Sequence, residues 1–467
     1  MVNHNLPIIA LVGPPNSGKS TLLNKIAGKP LAVTSDIAGT TRDRQYLDVS
    51  WNGSTFTLVD TAGLSFETRS ELEENIQKQI QIATQEADGI IFLADGKEPA
   101  AALDIKVLKK FRNLKKPIAL AVNKMDSAKN LEEKLSAFAK FGIKKMFAVS
   151  AITGRGIGDL LDYISSSLPD REMPSATDDI SLPLPKIAVS IVGKPNVGKS
   201  SIFNAILKQE RAVVSSLPGT TRTAIDSEIN INGIDYIFID TAGLKKKEYR
   251  QEQPDIYSGF QVFKSIRRGD ISFFVIDANE EITKQDQRIA QEIFKMEKGC
   301  IILANKIDIY SKSNIKFGEQ GGSRDSRKNT DDKYNTLRDY ISHHFPFLWM
   351  CPAFFVSAKT SEGLEEALGA IKPIFEARNK KIDNQTLSEF LSKKLKTNPP
   401  KLLRDQKKPK VFSLHQVDIN PPKFELLVNH PAAISMQFRK FLENSIIRDL
   451  GFWGTPIVFK LVGKDKA

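Results

Sequence analysis

Two short stretches of the chain carry glycines, a lysine and a serine at the same spacing. Gly13, Pro14, Pro15, Asn16, Ser17, Gly18, Lys19 and Ser20 read GPPNSGKS; Gly193, Lys194, Pro195, Asn196, Val197, Gly198, Lys199 and Ser200 read GKPNVGKS. Glycine lets a backbone approach a ligand closely, and consecutive N–H groups ahead of a helix N-terminus cradle phosphate oxygens. From such a loop Lys19 and Lys199 reach the β and γ phosphates of a nucleotide, and the hydroxyls of Ser20 and Ser200 suit Mg²⁺.

Further landmarks complete a pocket. Asp60, Thr61, Ala62, Gly63 and Leu64 read DTAGL, as do Asp240, Thr241, Ala242, Gly243 and Leu244. An aspartate ending a strand there is expected to hold the metal from the other side, through water, while Gly63 and Gly243 offer N–H groups to the γ phosphate. Asn123, Lys124, Met125 and Asp126 read NKMD, and Asn305, Lys306, Ile307 and Asp308 read NKID. Guanine presents two adjacent donors on its N1 and N2 edge, which one carboxylate accepts together, and adenine lacks that pair. Asp126 and Asp308 therefore select guanine over adenine, since an unpaired buried carboxylate costs about 1–3 kcal/mol or more. Asn123 and Asn305 support the loop and base. Ser150 with Ala151, and Ser357 with Ala358, close the pocket with N–H groups for guanine O6.

These landmarks recur in one order, so the chain contains a duplicated domain. Gly13 and Gly193 are 180 residues apart, as are Asp60 and Asp240; the NKxD segments are 182 apart and Ser150 and Ser357 are 207 apart. The offset grows across 310–333, a polar, glycine-bearing stretch read as a mobile insertion in the second copy. Within each copy, apolar runs such as LPIIALVG, FTLVDTAG, GIIFLAD and IALAVNK read as buried parallel strands separated by helical patterns. That alternation predicts a doubly wound, mostly parallel α/β sheet whose ligand sits at the carboxyl ends of its strands.

The chain has 467 residues, 41% hydrophobic and 26% charged, which fits several globular domains. It shows no signal segment and no apolar run of membrane-spanning length, so a cytoplasmic protein without membrane contact is expected. Cys300 and Cys351 lie in or beside apolar runs and read as core residues, and the five histidines show no metal-ligand spacing. Charge is uneven: from residue 377 onward, 18 Lys or Arg stand against 8 Asp or Glu, which is +10 of the chain's +12. A basic module on a near-neutral body fits an anionic partner, RNA first, or else a solvated lysine face.

Ras-like proteins place a water-orienting glutamine after DTAG, where this chain has Leu64 and Leu244. Hydrolysis needs other help. Asn16 and Asn196 either hold a monovalent cation beside the phosphates or shape the loop turn.

Tandem signatures of this kind resemble the Der or EngA family of bacterial ribosome-assembly GTPases. The resemblance runs over essentially the whole chain, through both glycine-lysine loops, GTTRD and LPGTTRT, both DTAGL, NKMD and NKID, IRRGD at 266–270, and the terminal VNHP…FRKFLENSIIRDLGFWGTPIVF. It implies two tandem P-loop GTPase domains, 1–168 and 186–376, joined by a linker at 169–185 and followed by a KH-like α/β domain at 377–467. It also implies slow GTP hydrolysis to GDP, Mg²⁺, potassium dependence through Asn16 and Asn196, and action on the large (50S) ribosomal subunit and its rRNA, with no DNA partner and a monomeric chain. Thr41 and Thr221 match the switch threonine that senses the γ phosphate and joins the metal shell. The alternative is a nucleotide-gated RNA-binding scaffold in which one or both domains do not turn over; the retained Lys, Ser and Asp of both copies favour hydrolysis.

The chain departs from that family at Pro14, where arginine is usual, at Thr223, which replaces aspartate, and in the length of the insertion. In the third region, 411–417 and 423–429 read as strands and 432–450 as a helix. Gly451 and Gly454 do not open a basic helix, so the usual KH clamp on single-stranded RNA is not expected. Lys393, Lys394, Lys396, Lys401, Lys407, Lys408 and Lys410 are the candidates for phosphate contact, and Phe452 and Trp453 read as core.

Overall fold

A computed structural model describes residues 6–14, 16–27, 46–60, 87–97, 116–127, 131–168, 186–208, 212–214, 226–241, 256–310, 334–400 and 409–464. By internal packing the chain divides into two units, residues 3–181 with 253–261, and residues 182–252 with 262–467.

Among the described residues, the first unit is built on six strands and the helices that cover them: β1 (Ile8–Val12), α1 (Lys19–Ala27), β2 (Tyr46–Trp51), β3 (Ser54–Asp60), β4 (Gly89–Asp95), β5 (Ile118–Asn123), α2 (Leu131–Ser136), β6 (Met146–Ala148) and α3 (Ile157–Ser167). The sheet order is β2-β3-β1-β4-β5-β6, with only the β2–β3 pairing antiparallel. Side chains alternate across such a sheet, so both faces of a covered strand must be apolar. Along β4, Ile91 and Leu93 join Leu22, Ile26 and Leu160 on one face, while Ile90, Phe92 and Ala94 join Met125 and Phe141 on the other. β1 lies between β3 and β4, so the crevice at its carboxyl end opens where the strand order reverses. The loop at 13–18 leaves β1 at that point.

Among the described residues, the second unit repeats this plan with β7 (Ile187–Val192), α4 (Lys199–Leu207), β8 (Ala212–Val214), β9 (Ser227–Ile231), β10 (Ile234–Ile239), α5 (Ile256–Arg268, which belongs to this unit from Val262 on), β11 (Ile271–Asp277), α6 (Lys284–Lys295), β12 (Gly299–Asn305), α7 (Asn335–His344), β13 (Ala353–Phe355), α8 (Leu364–Gly369) and α9 (Ile371–Asn379). Its order is β13-β12-β11-β7-β10-β9-β8, parallel from β13 to β10. Phe273 and Val275 face Phe203 in one core, and Phe274 and Ile276 face Phe345 in the other. α6 starts at a capping box: Thr283 Oγ1 accepts from Asp286 N, and the Asp286 carboxylate accepts from Thr283 N at 2.9 Å. Such a cap contributes about 1 kcal/mol. Cys300 is buried in this core and Cys351 flanks it, both as free thiols.

The C-terminal module follows as α10 (Asn384–Thr397), β14 (Val411–Asp418), β15 (Lys423–Val428), α11 (Met436–Asp449) and β16 (Val458–Gly463). β14 pairs antiparallel and β16 parallel with β15, and Leu387, Leu391, Leu426, Leu442 and Phe452 lie in one core. α11 begins later than the apolar pattern suggests, because Ser435 caps it by accepting from Phe438 N at 3.2 Å. Trp453 departs from its expected place in the core. It is 48% exposed and meets Trp349 edge-on, because the tight turn between Gly451 and Gly454 turns only Phe452 inward.

Gly454 docks this module rather than forming a clamp. It donates its N–H to Met350 O and accepts from Cys300 N, both at 2.9 Å, and a Cβ there would stand 2.4 Å from Ile374. Beside it Arg378 is fully buried, donating to Glu297 O, Thr455 Oγ1 and Asn420 Oδ1 at 2.8 Å each. Among the described residues, no helix is long and apolar enough to cross a membrane.

Candidate functional site: two nucleotide pockets

In the first domain the strand-to-helix loop runs over the carboxyl end of β1. Gly13 is required by packing, since a Cβ would stand 2.3 Å from Leu93 O. Gly18, at φ +94°, is required by conformation as well as by the 2.3 Å approach of Asn123 Nδ2. Lys19 turns back over the loop, donating to Gly13 O and Pro14 O at 2.9 Å. Burial lowers its pKa below the ordinary lysine value, while Asp60 opposes that shift.

The second loop has the same form. Lys199 donates to Gly193 O at 2.7 Å and to Lys194 O at 2.6 Å, and Gly198 stands at φ +96° against Asn305. Asn16 and Asn196 adopt φ +62° and +65° with exposed side chains. Asparagine tolerates that left-handed region, so the turn itself accounts for the residue type, and the exposed amide stays available to a ligand.

The NKxD segments end β5 and β12. Asn123 Nδ2 donates to Ser17 O at 2.7 Å, and its Oδ1 accepts from Ala151 N at 2.9 Å; Asn305 makes the matching bonds to Val197 O and from Ala358 N at 2.8 and 3.1 Å. One amide thereby joins the phosphate loop, the base loop and the Ser-Ala loop. Ser150 Oγ donates to Asp126 Oδ1 at 2.8 Å and Ser357 Oγ to Asp308 Oδ1 at 2.9 Å. The Ser150 bond, assisted by Lys97 at 3.5 Å, holds the Asp126 carboxyl below its usual range. A carboxylate that stays ionised can accept two N–H donors from a base edge.

The metal-facing residues differ between copies. Asp60 ends β3 and accepts from Ser20 Oγ at 3.0 Å, an arrangement of hard oxygen donors that fits Mg²⁺. Asp240 instead takes φ +57°, and its N–H donates to Asp226 Oδ1 at 2.9 Å; Asp226 is ion-paired with Arg268 at the end of α5. Thr241 Oγ1 shares a 2.7 Å bond with Ser227. Pro15, Thr41, Thr61, Ala62, Gly63, Leu64, Thr221, Ala242, Gly243 and Leu244 lie outside the described residues, as do Lys401, Lys407 and Lys408.

Residues that no motif reading singled out also serve the pocket. Asp95 and Asp277, ending β4 and β11, pair with Lys124 and Lys306 of the NKxD segments. Both lysines stand at positive φ, +64° and +68°, a conformation that their ion pairs help to hold. The signal was available in the repeat, because the two aspartates keep the 182-residue offset of the segments that they support.

Comparison with known proteins agrees with this arrangement. A family model described as "50S ribosome-binding GTPase" matches twice, at residues 8–124 and 188–306, and one described as "KH-domain-like of EngA bacterial GTPase enzymes, C-terminal" matches residues 381–461. Among curated relatives, a protein named GTPase Der from Thermosynechococcus vestitus is 36% identical over 454 residues, 97% of this chain and 96% of its own. Proteins of the same name from Halothermothrix orenii and Finegoldia magna are 36% and 34% identical, each covering 98% of this chain and 99% of their own.

Proposed function

Since the chain belongs to the Der family of tandem-domain GTPases, we propose that it acts in maturation of the large ribosomal subunit, its nucleotide state setting its affinity for the particle. GTP hydrolysis and the three-domain fold belong to the family. The particle, the cation and the roles of individual residues are the proposal.

In each domain the loop N–H groups and Lys19 or Lys199 hold the β and γ phosphates, and the lysine draws off charge that develops toward the leaving β phosphate. Asp126 and Asp308 accept the N1 and N2 protons of guanine, with Ser150 and Ser357 fixing the carboxylate. Ser20 with Asp60, and Ser200 with Asp240, would hold Mg²⁺, which would neutralise charge on the phosphate oxygens. With leucine after DTAG, no glutamine orients the attacking water; the amide oxygens of Asn16 and Asn196 would hold K⁺, which would supply positive charge beside the phosphates. Thr41 and Thr221 sense the γ phosphate. The basic C-terminal module then meets rRNA phosphates, which its +10 net charge supports.

The observation that supports this reading is the bond from each NKxD asparagine to its own phosphate loop, which ties base loop to phosphate loop in both domains. Single-turnover GTP hydrolysis by the full chain carrying Lys19→Ala, Lys199→Ala or both tests it. Each single change should leave one catalytic phase and the double change none. A single substitution that removes no phase would make the corresponding domain a non-hydrolysing scaffold.

A further inference from the structure

In the second domain, the turn that leaves β11 touches both ends of the pocket. At its start Asp277 receives Lys306 Nζ at 2.6 Å, and Asn279 Nδ2 donates to Lys306 O at 3.0 Å, which steadies the base loop. Further along, Glu280 and Asp286 take Lys194 Nζ at 2.9 and 3.4 Å. Lys194 belongs to the phosphate loop, and its carbonyl accepts Lys199 Nζ at 2.6 Å. One residue therefore both cradles the candidate catalytic lysine and ties the loop to the opening turn of α6.

Burial gives this contact weight. Asp286 is 1% exposed; its Oδ2 takes Thr283 N and Oγ1, and its Oδ1 is buried without a hydrogen-bond partner. Among the described residues, Lys194 faces this carboxylate at 3.4 Å. Burial penalises the lysine's charge, but Glu280 and Asp286 outweigh that and hold its pKa above the ordinary value. Removing one member of such a pair leaves the other charged and uncompensated.

The first domain cannot build the same contact. Its base end is alike, with Asp95 on Lys124, and Glu98 and Asp104 stand at the 182-residue offset from Glu280 and Asp286. At the position of Lys194, however, it has Pro14, which carries no charge.

We propose that Lys194 is a positioning residue that pins the second phosphate loop to the turn after β11 through Asp286 and Glu280, slowing nucleotide release from that domain alone. A loop already held in its binding geometry loses less freedom when phosphate arrives, and in a series of related sites such preorganisation shows mainly in the off-rate. The two domains therefore differ in nucleotide residence time although their signatures match.

The inference rests on the assignment of the two pockets made above, and the experiment separates the two. Release of fluorescent GDP is followed by chase with unlabelled GDP in the full-length chain carrying Asp126→Asn, where a stoichiometry of one confirms that guanine reads only the second site. If two GDP bind, the two release phases of the otherwise unaltered chain are followed instead. Lys194→Met should speed release from the second site about tenfold, while Lys194→Arg stays near the parent and Glu280→Gln, at an exposed carboxylate, gives a smaller rise. Because the pair acts as a unit, Lys194→Met with Asp286→Asn should release little faster than Lys194→Met alone. In the Asp308→Asn chain, where guanine reads the first site, Lys194→Met should change nothing. Release within twofold of the parent, an arginine variant as fast as the methionine one, or additive effects would overturn the proposal. A parent that binds no GDP would instead fail the pocket assignment.

Discussion

Asn305 Nδ2 donates to Val197 O at 2.8 Å across 108 residues of chain, and no Cβ fits between them, because one at Gly198 would lie 2.2 Å from that nitrogen. The base loop and the phosphate loop are thus tied into one body, and nucleotide affinity is expected to depend on this contact between them. Asn305→Ala should leave the buried Val197 O and the partly buried Ala358 N without this partner, the first at about 1–3 kcal/mol. Calorimetric titration with GDP should show at least a tenfold weaker second site, and Gly198→Ala should do the same through the clash and its φ of +96°. Unaltered affinity in either variant would mean that the loops hold their places independently.

Base choice should follow the carboxylate. Asp126→Asn or Asp308→Asn is expected to shift the altered site from guanine toward xanthine, which carries an acceptor at C2 where guanine carries a donor. Competition of XDP and GDP for the full-length variant measures this, and an unchanged preference would remove the aspartate from the pocket.

The cation reading predicts faster hydrolysis in K⁺ than in Na⁺ at equal ionic strength, with GTP affinity much less affected. Asn16→Ala with Asn196→Ala should abolish the difference. Equal rates in both salts would leave these asparagines with the turn geometry alone, which their φ values of +62° and +65° already explain.

Stability should fall as pH rises from about 4.5 to about 7 through one partly buried acid. Burial lifts Glu297 from 4.5 to about 7, against the pull of Lys423 and Arg378. The folded protein then keeps its proton where the unfolded chain has lost it, so the penalty is absent below 4.5, grows through this window and is full above about 7. It amounts to about 3 kcal/mol. Glu297→Gln should therefore raise the unfolding temperature of the unit that holds it at pH 8 and leave it unchanged at pH 4. An equal shift at both values would assign the effect to packing.

If the C-terminal lysines neutralise rRNA phosphates, Lys407→Ala, Lys408→Ala and Lys410→Ala together should flatten the salt dependence of binding to large-subunit particles. Each lost contact removes roughly 0.7–0.9 from the slope of log affinity against log salt. GTP turnover by the free protein should hardly change, since these residues lie outside both signatures. A slope equal to that of the parent would mark them as a solvated face.

Much of this protein was legible in sequence because its chemistry is local. Each glycine-lysine loop is eight consecutive residues, each base-recognition segment four, and the common offsets of 180 and 182 placed them on equivalent strand ends before any fold was known. Apolar alternation did the same for the sheets, since a strand covered on both faces must be apolar along its length. Contacts between segments far apart in the chain were not legible, because no local pattern records which side chain meets which. Only the folded sheet brings Asn305 to Val197, Lys194 to Asp286 and Arg378 to Asn420 and Thr455. The same holds for Asp240, whose segment matches that of Asp60 letter for letter, yet whose backbone turns to φ +57°. Asp226 and Arg268 hold that turn, and their counterparts at the 180- and 182-residue offsets are Tyr46 and Glu86, which cannot form the pair. Residue type determined which chemistry each pocket can perform; tertiary packing decided how firmly each is held.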